Sequence, residues 1–196
     1  ARKRAEAIVR TRLALASLAP RGPLDATVAA GVDAAVAITA SRRGSFRVLA
    51  SDVAAPALVA AGPDADRPAA GLASAAAAAR AIGERRPVTS VVAPGSAIGV
   101  PVAAQRAGHR GDAGEAQLAV PVLRENAVAA VLELEGKREG YGADDVAAAE
   151  ELAAMLMDSV LRRCDDDRLR QAAAVFENTR EGVIITDASQ RILMVN

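Results

Sequence analysis

The chain has 196 residues with 24 basic and 24 acidic side chains, so no whole-chain field draws it to nucleic acid or a membrane surface. Apolar residues make up 52%, enough for a core, yet the aromatics are only Phe46, Tyr141 and Phe176, and alanine buries little area per residue. The single cysteine, Cys164, and single histidine, His109, exclude an intrachain disulfide, a cysteine-based zinc site and paired-histidine metal motifs, and fit a reducing, cytoplasmic setting.

Residues 1–19 have a helical pattern, with Ile8, Val9, Leu13, Leu15 and Leu18 forming an apolar stripe that Pro20-Arg21-Gly22-Pro23 ends. Leu24, Val28 and Val32 predict a second helix over 24–34. Residues 35–40 and 45–50 read as a hairpin turning at Ser41-Arg42-Arg43-Gly44. Residues 51–70 have loop composition, and 71–83 predict a helix stopped by Gly83. A strand over 88–92 precedes a long Gly, Pro and charge-rich segment over 93–115. Residues 116–123 and 127–135 are strands joined at Arg124-Glu125-Asn126, and Asp144 or Asp145 caps a long final helix. Helices spread between antiparallel hairpins make the class α+β with one antiparallel sheet. No uncharged apolar run reaches the roughly 18 residues of a membrane span.

Three segments, in order, resemble a GAF domain. They are Glu84-Arg85-Arg86-Pro87-Val88, then Leu118-Ala119-Val120-Pro121-Val122, then Val128-Ala129-Ala130-Val131-Leu132 followed by Gly136-Lys137, Tyr141 and Asp145. Gly136 stands where one bacterial subgroup has Asn, so a ligand role of that Asn does not transfer. The tail, residues 175–196, resembles the opening of a PAS domain: Phe176, Glu177, Asn178, Glu181, Gly182, Asp187, Ile192, Val195 and Asn196 match its helix-to-hairpin pattern. The resemblances imply an N-terminal helix over 1–23, a GAF-like sensory domain over 24–143, its last helix and connector over 144–178, and the truncated start of a PAS domain over 179–196.

No nucleophile–base pair, metal constellation or phosphate loop is present, so no catalytic residue, metal site or cofactor is identifiable. Arg106, His109 and Arg110 are the candidate ligand contacts, because the segment between the third and fourth strands lines the pocket in GAF domains. Two arginines could hold a carboxylate or phosphate, although a solvated loop has the same composition. A haem ligand role for His109 finds no aromatic or Met clustering beside it, and Cys164 lies away from where bilins attach in GAF domains. The reductase type of GAF domain needs pocket cysteines that this chain lacks. Glu133 and Glu135 alternate on one strand face and read as a solvated face.

Val146, Ala149, Ala153, Leu156 and Val160 follow 3-4 spacing and read as a dimer seam; covering the sheet within one chain is the competing reading. The seam slips near Cys164-Asp165-Asp166-Asp167 and resumes at Leu169, Ala173 and Phe176, either as a stutter in one helix or as a break. The resemblance implies a non-enzymatic, homodimeric, cytoplasmic signalling module with a small-molecule ligand. It would be placed before an output such as a diguanylate cyclase or c-di-GMP phosphodiesterase. A sensor histidine kinase input, or a dimerisation scaffold without ligand, are the alternatives.

Overall fold

The computed structural model describes residues 2–18, 23–50, 59–63, 72–92, 115–178, 182, 184–186 and 188–195. The order is α1 (Arg2–Leu18), α2 (Leu24–Thr39), β1 (Arg43–Val48), β2 (Val59–Ala61), α3 (Leu72–Glu84), β3 (Val88–Val92), β4 (Glu115–Arg124), β5 (Ala127–Lys137), α4 (Ala143–Asn178), β6 (Ile184–Thr186) and β7 (Ile192–Val195). Five strands form one antiparallel sheet in the order β2-β1-β5-β4-β3, and β6 and β7 pair separately. The α+β class and the antiparallel sheet are therefore as the sequence implies.

The sheet divides two environments because side chains alternate along each strand. Leu118, Val120, Leu132, Leu134 and Phe46 point to one face, where α2 and α4 cover them. Ala119, Val131 and Val88 point to the other, against Ala77, Ala78 and Ala81 of α3. Helix α1 packs outside α2 and α4. The β4–β5 turn is a two-residue hairpin with Glu125 and Asn126 at φ 47° and 68°, the left-handed values such a turn requires.

Three expectations need correction. Residues 35–39 are helix, not strand: Val28, Val32, Ala35, Val36 and Thr39 form one buried stripe, so α2 continues until Ala40 closes it at φ 54°. The Ser41 N–H then donates to the Val36 carbonyl at 2.9 Å. The hairpin partner of β1 is instead β2, within the segment read as loop. The proposed dimer seam is the intramolecular face of α4: Ala149, Ala153, Leu156 and Val160 are 0% exposed, and Val146 packs against the same core. Ala149, Ala153, Leu156 and Val160 are thus covered by α2 and the sheet within one chain, as the competing reading has it.

α4 is one continuous helix through Asp165–Asp167. Intrahelical pairs Arg163–Asp167 (3.4 Å) and Arg170–Asp167 (2.9 Å) bridge the charged stretch, each contributing about 0.2–0.5 kcal/mol. Its N-terminus is fixed by Asp145, not as the cap itself but at the third helical position, from which Oδ2 accepts the Gly142 N–H (2.9 Å) and Lys137 Nζ (2.5 Å). Gly136, before that lysine, has φ +88°, and a Cβ there would sit 2.7 Å from the Arg42 Cβ. A side chain at this position would therefore be strained. Tyr141 completes this corner: its hydroxyl pairs with Ser41 Oγ at 2.9 Å, Ser41 with Thr39 Oγ1 at 2.6 Å, and Thr39 donates to the Ala35 carbonyl at 2.7 Å. The chain of hydroxyls ties the start of α4 to the end of α2.

Gly44 lets α2 lie directly on β1, since a Cβ would meet Val32 and Val36 methyls at 2.9 Å. Gly44→Ala should cost about 1–3 kcal/mol in urea unfolding; an unchanged midpoint and slope would refute this close approach. Burial, reinforced by Glu135 and Asp145 and partly offset by the Ser41 hydrogen bond, raises the Tyr141 phenol above its ordinary 10.0. The unfolded chain then ionises first, so this contribution is complete below about pH 10 and is lost as pH rises above it. Wild type should lose about 1.4 kcal/mol more per pH unit there than Tyr141→Phe; parallel profiles would exclude the effect.

Candidate functional site

Arg106, His109 and Arg110 lie outside the described residues. Cys164 is buried on the α2/α4 side of the sheet, in the main core. Among the described residues no group of three or more His, Cys, Asp or Glu is placed to hold a metal, and no helix is long and apolar enough to cross a membrane.

The sheet face opposite α2 and α4 gathers the buried polar chemistry. Strand register aligns Ser90, Gln117, Glu135 and Arg43 as one cross-strand row over β3, β4, β5 and β1, and Ala119, Glu133 and Ser45 as the next. Glu133 and Glu135 are only 5% and 6% exposed, which corrects their reading as a solvated face. Their charges are held by arginines four residues apart on β1: Arg47 Nη2 lies 3.2 Å from Glu133 Oε1, and Arg43 pairs with Glu135. The central strand thus carries carboxylates inward because its neighbour supplies matching guanidiniums.

Gln117 is the residue that sequence reasoning missed. It is 2% exposed, Ser90 Oγ donates to its Oε1 at 3.4 Å, and its Nε2 has no hydrogen-bond partner. A dry, unpaired amide donor costs about 1–3 kcal/mol. The available signal was period two: Gln117 shares a face with Ala119, whereas Leu118 and Val120 face the core. Beside this polar row the face turns apolar, with Val88, Ala119 and Val131 under the alanines of α3.

A recess of about 450 Å³ opens at the end of β5, lined by Ala40, Arg42, Gly136, Lys137, Arg138 and Glu139. Its Lys137 ammonium is committed to Asp145 and stands 5.7 Å from the Tyr141 ring centre. This recess is therefore joined to the corner that anchors α4 rather than to the buried face.

The family model for the GAF domain matches residues 23–158. Among solved structures, the GAF domain of an Acinetobacter phosphoenolpyruvate-protein phosphotransferase superimposes with TM-score 0.54 at 13% identity, over 83% of this chain and 95% of its own. Free methionine-R-sulfoxide reductase from Neisseria meningitidis, in complex with its substrate, gives 0.51 at 13% identity over 85% and 91%. The bacteriophytochrome RpBphP3 from R. palustris gives 0.51 at 15% identity, over 87% of this chain but 40% of the phytochrome. No curated protein matches the chain. At these identities the structures speak for the fold, and the family match spans well over half of the sequence: the chain belongs to the GAF-domain family.

Proposed function

We infer that this chain is a regulatory GAF module of a bacterial signalling protein, cytoplasmic and homodimeric, which senses a small molecule and passes the result along α4. The observation that carries this reading is the division of α4. Its first half, to Cys164, is core, whereas Leu169 is 69% exposed and nearly every residue from Asp165 to Asn178 is exposed or partly so. At 1.5 Å per residue that second half extends about 20 Å. A helix anchored in a sensor at one end and exposed along the other is suited to transmit a change of packing.

The dimer contact moves with the corrected seam. Val9 and Leu13 lie one turn apart on α1, Leu13 being 68% exposed, and Leu169, Ala172, Ala173 and Phe176 form a stripe on the projecting half of α4. Together they offer a helical surface for a second copy, and ligand binding would bias two packings of the helix pair. The β6–β7 hairpin, which resembles the opening strands of a PAS domain, exposes Ile184, Ile192 and Leu193. In this reading α4 connects the GAF domain to that PAS domain and then to an output, a diguanylate cyclase, a c-di-GMP phosphodiesterase or a histidine kinase. The unpaired Gln117 amide favours a ligand over a scaffold with a closed pocket.

Two substitutions separate the surfaces. Leu169→Asp should weaken dimerisation at least about tenfold in sedimentation velocity while preserving the circular dichroism of the fold. Leu156→Asp places a charge at a fully buried site and should unfold the chain instead. A wild type that stays monomeric at high concentration, or a Leu169→Asp dimer of undiminished affinity, would overturn the homodimeric connector.

A further inference from the structure

We propose that the polar row on the α3 side of the sheet binds an uncharged molecule through a carbonyl oxygen, which accepts a hydrogen bond from the Gln117 side-chain amide. The proposal rests on the sensory reading and names the ligand class at its site. Three observations define that class. Ser90 Oγ donates to Gln117 Oε1 at 3.4 Å, which leaves the amide NH2 group turned away from Ser90, and that group is buried without a partner. The site therefore supplies a donor and calls for an acceptor.

Charge excludes ions as the preferred occupant. Glu135 and Glu133 are matched by Arg43 and Arg47. An anion would have to compete with a buried carboxylate for its arginine, and a cation with an arginine for its carboxylate; either exchange leaves a buried charge unpaired. A neutral ligand disturbs neither pair. The adjoining surface is the third constraint: Val88, Ala119, Val131 and the small side chains Ala77, Ala78 and Ala81 form an apolar wall beside the amide. An amide, lactam or heterocyclic carbonyl joined to an apolar ring satisfies all three.

The probe is δ-valerolactam, with acetate and methylammonium as charged controls, titrated into the full chain labelled with nitrogen-15. The Gln117 NH2 signals are assigned by their loss in Gln117→Leu and Gln117→Met. The lactam should move that signal pair saturably while the two ions do not, and either variant should bind it about tenfold more weakly or worse. Both variants should be at least as thermally stable as wild type, because they remove an unpaired donor. A clear drop in melting temperature in both would mean the amide is satisfied by a structural water, and would overturn the proposal. Saturation by acetate or methylammonium instead would overturn the ligand class while leaving a sensory pocket in place. No response to any probe would overturn carbonyl recognition, and the dimer measurement on Leu169→Asp would still decide the connector separately.

Discussion

The register between β1 and β5 is the constraint on which the rest of the structure depends. It sets Gly44 opposite Leu134 and Phe46 opposite Leu132 on the α2/α4 face, and Arg43 opposite Glu135 on the other. Because side chains alternate with period two, a slip of one residue would turn Leu132 and Leu134 to the polar face and drive two carboxylates into the main core. Each face thus penalises the errors of the other. The ion pairs are less a source of net stability than a specification of pairing, since buried pairs recover little beyond their desolvation. The apolar face supplies the stabilisation, and it does so with small residues: Ala35, Ala130, Ala149 and Ala153 are all fully buried between the helices and the sheet.

Much of this was legible because local and tertiary signals agree. The strands from Val88, Glu115 and Ala127 and the Glu125-Asn126 turn follow from alternation and turn chemistry, and the structure places them within a residue or two of expectation. The errors arose where one pattern serves two structures. Val36 and Ile38 are β-branched and favour a strand locally, yet the burial of Val32, Val36 and Thr39 on one helical stripe outweighs that preference. The 3-4 spacing from Val146 to Val160 fits a partner helix and fits α2 and a sheet equally well, because spacing records which face is buried and not what buries it. Glu133 and Glu135 looked solvated because their guanidinium partners are some ninety positions away, at Arg47 and Arg43. The candidate ligand residues Arg106, His109 and Arg110 fall outside the described residues, so the buried site stands on Gln117 and its neighbours alone.

Helix α4 shows how one element meets two demands. Up to Cys164 its stability comes from the apolar face it buries; beyond, propensity and charge pairs must hold it, because an isolated helix of that length is marginal in water. Arg163, Asp165, Asp167, Arg168 and Arg170 pair at spacings of three and four where the apolar stripe lapses. The aspartates that suggested a break in sequence are thus members of the pairs that carry the helix through.

The two sites meet on β5. Glu135 belongs to the buried polar row, and two residues later Lys137 holds the N-terminus of α4 through Asp145. Between them Gly136 has a backbone conformation and a close approach to Arg42 that would strain any side chain, so the segment has little slack. Glu135 and Asp145 also both act on the Tyr141 phenol, which is linked through Ser41 and Thr39 to α2. In the proposed function, a ligand seated beside Gln117, the cross-strand neighbour of Glu135, therefore acts close to the clamp on α4. What it must bias is a short, tightly paired corner, and a closely packed corner of this kind changes between discrete arrangements rather than by gradual bending.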